Sequence, residues 1–129
     1  MLRKVLHNKV HMATVTRARP DYVGSITIDS DILRAVGLRV NDAVTVANCR
    51  SGARFETYVF EGEAGSGAIE INGAAAHLAE PGDKVIVLHF ALMSDAEYGE
   101  HRPRVAIIDE ANRVERLIEY EPMIEVAGA

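Results

Sequence analysis

Short β-type segments separated by turn residues run through almost the whole chain, and they limit what it can fold into. Val, Ile and Thr recur in short runs, and the stretches CRSGAR, EGEAGSG, AEPGDK and DEAN between them supply turn residues. Because only 5% of the residues are aromatic and Trp is absent, the core must be mainly aliphatic, which suits short strands. The pattern predicts a small, mainly β barrel with strands at 9–17, 23–28, 42–49, 54–60, 68–72, 84–91, 104–109 and 113–118.

Two short helices are expected between these strands. In DSDILRAVG, Asp29 or Ser30 can act as the N-cap and Gly37 ends the helix, while GAAAHLA would form one or two turns. A chain of 129 residues fits one domain. We therefore expect a single barrel domain over residues 1–118 and a loosely ordered C-terminal tail over residues 119–129, where no clear pattern is visible.

Charge and cysteine content exclude several classes of partner. The net charge of −5 disfavours a nucleic-acid partner, and no apolar run approaches the ~20 residues that a membrane span needs. The single cysteine, Cys49, excludes an internal disulfide and a cysteine-based metal cluster, and is compatible with a reducing, cytoplasmic location. No metal site is expected, because no metal-ligand spacing relates the histidines His7, His77, His89 and His101.

The stretch YVGSITI carries a Gly-Ser pair, Gly24 and Ser25, inside a predicted strand. A glycine there costs roughly 0.5–1 kcal/mol relative to alanine and usually marks a bulge or a close approach of backbone. One interpretation is a simple kink. The other is that Gly24 leaves its carbonyl open to the hydroxyl of Ser25, which would make this peptide bond a reaction site.

Two further strands carry polar pairs on one face. Lys9 and His11, two residues apart, would place a cation beside a titratable imidazole. In RFETYVF, Arg54 can bind a carboxylate through two parallel hydrogen bonds and Tyr58 can donate a proton. A solvated strand face would look the same in both cases. Thr57 and Tyr58 leave their strand in opposite directions, so a site that used both would need a bulge or a pocket between subunits.

The segment EINGAAAH ends a strand at Asn72 and opens a helix with Gly73, Ala74 and Ala75. Backbone N–H groups at a helix start, uncrowded by side chains, can hold an anion. A plain strand-to-helix turn would have the same sequence, so both interpretations stay open here.

Several of these stretches, taken together and in order, resemble the aspartate 1-decarboxylase family of pyruvoyl-dependent enzymes. The matching motifs are MLRKVLHNKVHMATVT, YVGSITID, RFETYV, INGAAAH, GDKVIV and RPRV, which cover about the first ninety residues and a short segment near residue 102. The resemblance implies a six-stranded double-psi β-barrel and a homotetramer with active sites between neighbouring subunits.

The resemblance also implies that the chain is a zymogen that cuts itself between Gly24 and Ser25 into residues 1–24 and 25–129. The Ser25 hydroxyl would attack the Gly24 carbonyl to give an ester, with Thr57 and Asn72 stabilising the oxyanion. β-Elimination and loss of ammonia would then convert residue 25 into a pyruvoyl group. The cofactor would thus derive from Ser25, without metal or pyridoxal phosphate; whether a maturation factor assists is left open.

In turnover, the resemblance implies a Schiff base between the pyruvoyl group and L-aspartate, with release of CO2 and formation of β-alanine for pantothenate synthesis. Tyr58 would donate the proton that replaces the lost carboxylate. Lys9, Arg54 and Thr57, with His11 nearby, and the amides of Gly73, Ala74 and Ala75 would bind the substrate.

Two other functions are compatible with a small barrel. A ligand- or partner-binding module without catalysis would fit the composition equally well, whereas the acidic balance disfavours a swapped-hairpin DNA-binding barrel. The bond between Gly24 and Ser25 distinguishes these functions, because a binding module has no reason to break it.

Overall fold

The computed structural model describes residues 1–121 and is mainly β. Residues 122–129, most of the predicted tail, lie outside the described part of the chain. The strands are β1 Arg3–Thr14, β2 Arg17–Arg19, β3 Ser25–Asp29, β4 Ala43–Asn48, β5 Arg54–Gly62, β6 Ile69–Asn72, β7 Lys84–Met93, β8 Arg104–Ile108 and β9 Val114–Glu119.

Eight strands were predicted and nine are present; the predicted positions are confirmed for most of the chain, with differences at the N-terminus. The strand expected at 9–17 begins at Arg3 and is divided into β1 and β2. The sequence did not predict that β1 begins at Arg3, because the first residues are basic and show no clear alternation. These residues nevertheless pair with β7 from Arg3 onward. The pairing of β1 with β7 is irregular between Val10 and Ala13, where Met12 has a φ of 64°.

The first predicted helix is confirmed as α1, Ser30–Val36. Its N-cap is Asp29, whose side chain accepts a hydrogen bond from the Asp31 N–H, and Gly37 ends it with a left-handed φ of 84°. The alanine-rich segment forms a 3₁₀ helix, Gly73–Leu78. A further helix, α2 Asp95–Glu100, was not predicted, although Ser94 and Glu97 form a capping box at its start.

All nine strands join one sheet in the order β2-β6-β3-β5-β4-β7-β1-β8-β9. Most neighbours are antiparallel, but β3 with β5, β2 with β6 and β1 with β8 are parallel. The core contains mainly Val and Ile side chains from β1 through β8 and from α1, as the composition predicted.

Asp29 connects the end of β3 to the turn at EGEAGSG. Its buried carboxylate accepts hydrogen bonds from the N–H groups of Gly65 and Gly67, at 3.1 and 2.8 Å, in addition to that of Asp31. A carboxylate that accepts several backbone hydrogen bonds fixes the segments that donate them. β3 is therefore held at its C-terminal end, on the opposite side from Ser25.

The residues that the structure describes include no helix long and apolar enough to cross a membrane. Among the same residues, no group of three or more His, Cys, Asp or Glu side chains is arranged to hold a metal ion.

Candidate active site

Ser25 is the first residue of β3 and is almost completely buried, with 5% of its surface exposed. It pairs with Asn72, the last residue of β6, across the antiparallel β3–β6 ladder. The Asn72 side chain donates a hydrogen bond from Nδ2 to Ser25 Oγ at 3.0 Å. The pairing of two strands thus brings together two of the residues chosen from the sequence, although they are far apart in the chain.

Asn72 also donates from Nδ2 to Thr27 Oγ1 at 3.1 Å. Its Oδ1 atom is buried and has no hydrogen-bond partner within residues 1–121. A buried polar atom without a partner costs free energy and is uncommon in folded proteins. Thr27 was missed in the sequence, although its spacing of two residues from Ser25 on a strand places both side chains on one face.

Gly73 packs directly against Gly24. Its φ is +78°, and a Cβ atom built on Gly73 would lie only 2.6 Å from Gly24 Cα. Position 73 therefore requires glycine for both its backbone angle and its close approach. Gly24 itself lies outside the left-handed region, and a Cβ there would find its nearest neighbour, Asn72 O, at 3.9 Å.

The next residues open the 3₁₀ helix beside this contact. Ala74 is exposed and Ala75 is half-buried. The Asn72 side chain makes no hydrogen bond that caps the helix start. Instead, it binds Ser25 and Thr27.

A cleft of about 340 Å³ opens next to Ser25. Because Ile26 pairs with Val59 in the parallel β3–β5 ladder, Ser25 lies level with Tyr58, which is 39% exposed. The cleft is lined mainly by aromatic and other apolar side chains, with two polar residues, and its walls are Tyr22, Val23, Ser25, Asn41, Tyr58 and Phe60. Such a cleft can admit a small molecule to Ser25.

Thr57 belongs to the opposite face of β5. The pairing of β4 with β5 is regular through Val44–Thr57 and Ala43–Tyr58, so no bulge turns Thr57 towards the side chain of Tyr58. Of the two arrangements that the sequence allowed for joint use of these residues, the bulge is therefore absent.

Lys9 and His11 lie on β1, four strand positions from β3 in the sheet order. Lys9 Nζ donates a hydrogen bond to Tyr120 Oη at 3.3 Å. Burial lowers the pKa of the His11 imidazole, and the nearby Lys9 charge lowers that pKa further. The structure confirms that these two side chains are neighbours, but it does not bring them to Ser25 within one chain.

Arg54 is exposed at the start of β5. It precedes Tyr58 by four residues, which corresponds to about 13 Å along a strand. Neither Lys9 nor Arg54 lines the cleft at Ser25, whereas Tyr58 does. The contacts at the Gly24–Ser25 segment come from Asn72 and Gly73.

A cluster of three histidines, from β1, β7 and the end of α2, was not visible in the sequence. The His7 ring stacks on His101 at 4.9 Å and meets His89 edge-on at 5.1 Å. Burial lowers the pKa of His7, and the neighbouring His89 and His101 lower it further. His89 is half-buried and lies 3.8 Å from Asp42, while its Nδ1 has no hydrogen-bond partner within residues 1–121.

Comparison with known proteins gives the same assignment along almost the whole chain. Residues 1–115 match the family model described as aspartate decarboxylase. The chain belongs to the aspartate decarboxylase family. Its relatives include the aspartate 1-decarboxylases of Bacillus velezensis and Geobacillus sp. strain WCH70, which are 49% and 50% identical over 122 residues. Each alignment covers 95% of this chain and 96% of the relative. The aspartate 1-decarboxylase of Bacillus subtilis is 48% identical over the same length.

Membership of the aspartate decarboxylase family covers the described strands from β1 to the beginning of β9. The resemblance of separate motifs is therefore extended to the chain as a whole. This membership favours an enzyme over a binding module or a DNA-binding barrel.

Proposed function

We propose that this chain cleaves itself between Gly24 and Ser25 and then converts L-aspartate to β-alanine and CO2. The observation that carries the proposal is the contact set at this bond: Asn72 Nδ2 binds Ser25 Oγ at 3.0 Å, and Gly73 packs against Gly24. Membership of the aspartate decarboxylase family supports the same reaction. A role in supplying β-alanine for pantothenate synthesis follows from that reaction.

Self-cleavage begins with attack of Ser25 Oγ on the Gly24 carbonyl carbon. A C–O bond forms, the C–N bond breaks, and the hydroxyl proton goes to the nitrogen of residue 25, which becomes a free amine. The hydrogen bond from Asn72 Nδ2 stabilises negative charge on Oγ while the hydroxyl loses its proton. The oxyanion on Gly24 needs other donors, and Thr57 remains the residue proposed for that role.

β-Elimination then breaks the Cβ–O bond of residue 25 and releases residues 1–24 with a terminal carboxylate. The resulting double bond takes up water and loses ammonia, which leaves a pyruvoyl group at position 25. The surroundings fit this small planar group, because Ser25 is buried, the unpartnered Asn72 Oδ1 lies beside it and a cleft leads to it. When present, the pyruvoyl group supplies an electron sink for decarboxylation.

The remaining residues bind the substrate and move its proton. Tyr58 lines the cleft beside Ser25 and is proposed to donate a proton to the carbon that loses its carboxylate. Lys9 and Arg54 are proposed to bind the substrate carboxylates, with His11 near Lys9. The amides of Gly73, Ala74 and Ala75 are proposed to hold the remaining oxygen atoms.

The positions of these cations support an assembly of several subunits. Because Lys9 and Arg54 lie outside the cleft at Ser25 in one chain, we propose a homo-oligomer, with a tetramer expected from the family, whose active sites lie between subunits.

The parallel pairing of β3 with β5 and of β2 with β6 supports the finer assignment of a six-stranded double-psi barrel within the nine-stranded sheet. The continuous core from Val10 to Ile108 supports one domain over residues 1–118. The exposed free thiol of Cys49 is compatible with the proposed cytoplasmic location.

Intact-mass analysis of the purified protein tests self-cleavage. We expect two chains, residues 1–24 and residues 25–129, and the larger chain should lack a free amine and gain mass on borohydride reduction. Ser25→Ala should abolish both cleavage and β-alanine formation, whereas Ser30→Ala, at a buried serine in α1, should retain both. A wild-type chain that stays uncut on prolonged incubation, with no β-alanine formed, would contradict the proposal.

A further inference from the structure

A second cavity, of about 350 Å³, lies between the end of α1 and the beginning of β8, and shares no residue with the cleft at Ser25. Its walls come from β1, from the residues after α1 and from the segment that leads into β8. The lining residues are His7, Val36, Gly37, Arg39, His101, Arg102 and Arg104.

Positive charge is concentrated in this cavity although the protein is acidic. Three of the 14 Lys and Arg side chains line it, while the net charge of the chain is −5. Within residues 1–121, Arg39 and Arg104 form no ion pair, and Arg102 Nε lies 3.5 Å from Glu121. Neighbouring guanidinium groups repel one another unless an anion lies between them. Glu121 pairs with Arg102 and the Asp42 carboxylate acts on His7, so the three arginines still exceed these two acidic groups, and a bound anion would relieve the remaining positive charge.

The two histidines add flat ring surfaces to the same cavity. His7 and His101 stack with an angle of 16° between their planes, and His101 Nε2 lies 3.1 Å from the His7 carbonyl oxygen. Burial is the main cause of the lowered pKa of His7, the charge of Arg39 acts in the same direction, and the Asp42 carboxylate acts in the opposite direction. The two rings therefore offer flat faces and ring nitrogens to the cavity.

We propose that this cavity binds a small organic phosphate. Guanidinium groups bind phosphate oxygens through paired hydrogen bonds, and three of them carry more positive charge than a single carboxylate can balance. The volume is at the lower end of the range for small-molecule sites. Val36 and the imidazole faces provide an apolar surface for the organic part of the ligand.

Titration calorimetry with phenyl phosphate tests the site on the purified full-length protein. We expect phenyl phosphate to bind more tightly than inorganic phosphate, which lacks the ring, and than benzoate, which lacks the phosphate. Replacing two arginines together, Arg39→Gln and Arg104→Gln, should weaken phenyl phosphate binding by about tenfold or more. All of these positions are exposed, and the Tm measured without ligand should confirm folding of each variant.

A charge-matched control separates a local site from the overall field of the protein. Arg34→Gln with Arg116→Gln removes the same charge from exposed positions outside the cavity, and should leave the affinity within about twofold. Equal weakening by both pairs would overturn the proposal. So would weakening confined to Lys9→Gln with Arg54→Gln, since that would place the ligand at the proposed active site. Benzoate binding as tight as phenyl phosphate binding would overturn the phosphate class.

Discussion

Replacing Gly73 by alanine perturbs the Gly24–Ser25 bond without changing either of its residues. The added Cβ would lie 2.6 Å from Gly24 Cα and 3.0 Å from Gly24 N, both of them backbone atoms. Since carbon atoms pack at about 3.5–4.0 Å, the two segments must separate by about 1 Å. The left-handed φ of +78° costs alanine about 1–2 kcal/mol in addition.

This displacement acts on a reaction that depends on position. Attack of Ser25 Oγ needs the reacting atoms at about 3–3.5 Å, and a 1 Å misplacement can cost about 100-fold in rate. We therefore expect Gly73→Ala to slow self-cleavage by about 100-fold. The assay follows the uncut chain and the 1–24 peptide by intact mass, in a time course that starts during cell-free synthesis.

Gly52→Ala is the matched control, because Gly52 has a φ of +77° and nothing within 4 Å of a Cβ built there. It carries the same backbone penalty without the steric clash. Both variants should lose similar stability from backbone strain, and only Gly73→Ala should cut slowly. Equal cleavage rates in the two variants would refute the reasoning, since the close approach of Gly73 to Gly24 would then have no effect.

Two further substitutions test the stability of the fold and the separation of roles in the site. Asp83→Asn should lower the free energy of unfolding by about 2–3 kcal/mol in urea denaturation at pH 7, because the buried Asp83 carboxylate accepts hydrogen bonds from Arg50 and Asn48. These bonds hold the pKa of Asp83 well below its ordinary value, so their stabilisation is present above about pH 4 and is lost as the pH falls further. The free energies of unfolding of the variant and the wild type should therefore converge at low pH. A constant difference between them down to pH 2 would contradict this. Tyr58→Phe should allow cleavage but slow β-alanine formation, measured by chromatography; an uncut Tyr58→Phe chain would show that the two roles are not separate.

Local signals explain why much of the fold could be predicted from the sequence. Asp29 and Gly37 define both ends of α1 through side-chain capping and a left-handed φ, which depend on a few neighbouring residues. The missed helix α2 had an equally local signal in the capping box of Ser94 and Glu97. The start of β1 at Arg3 had none, since that segment is a strand because β7 pairs with it.

In the candidate site, too, single residues could be predicted from local motifs, whereas the contacts between them could not. The motifs identified Ser25 and Asn72 separately, but their hydrogen bond depends on the register of β3 with β6, which no local pattern specifies. His7 stacks on His101, which is 94 positions away in the chain, because β1 packs against the segment before β8. Contacts of this kind follow from topology, so single-sequence patterns do not reveal them.

The separation of cations from the cleaved bond leads to a test of assembly. Lys9 lies on β1, four strand positions from Ser25 on β3, and does not line the cleft at Ser25, so we expect a site that uses both to take them from different subunits. Lys9→Ala and Ser25→Ala chains should each be inactive alone. In oligomers formed by co-expressing equal amounts, about a quarter of the sites combine an intact Ser25 from one chain with an intact Lys9 from its neighbour. We therefore expect about a quarter of the wild-type rate of β-alanine formation from the mixture. A mixture as inactive as its components would show that one chain supplies both residues, and the strand order would then have to be reconciled with a site inside a single subunit.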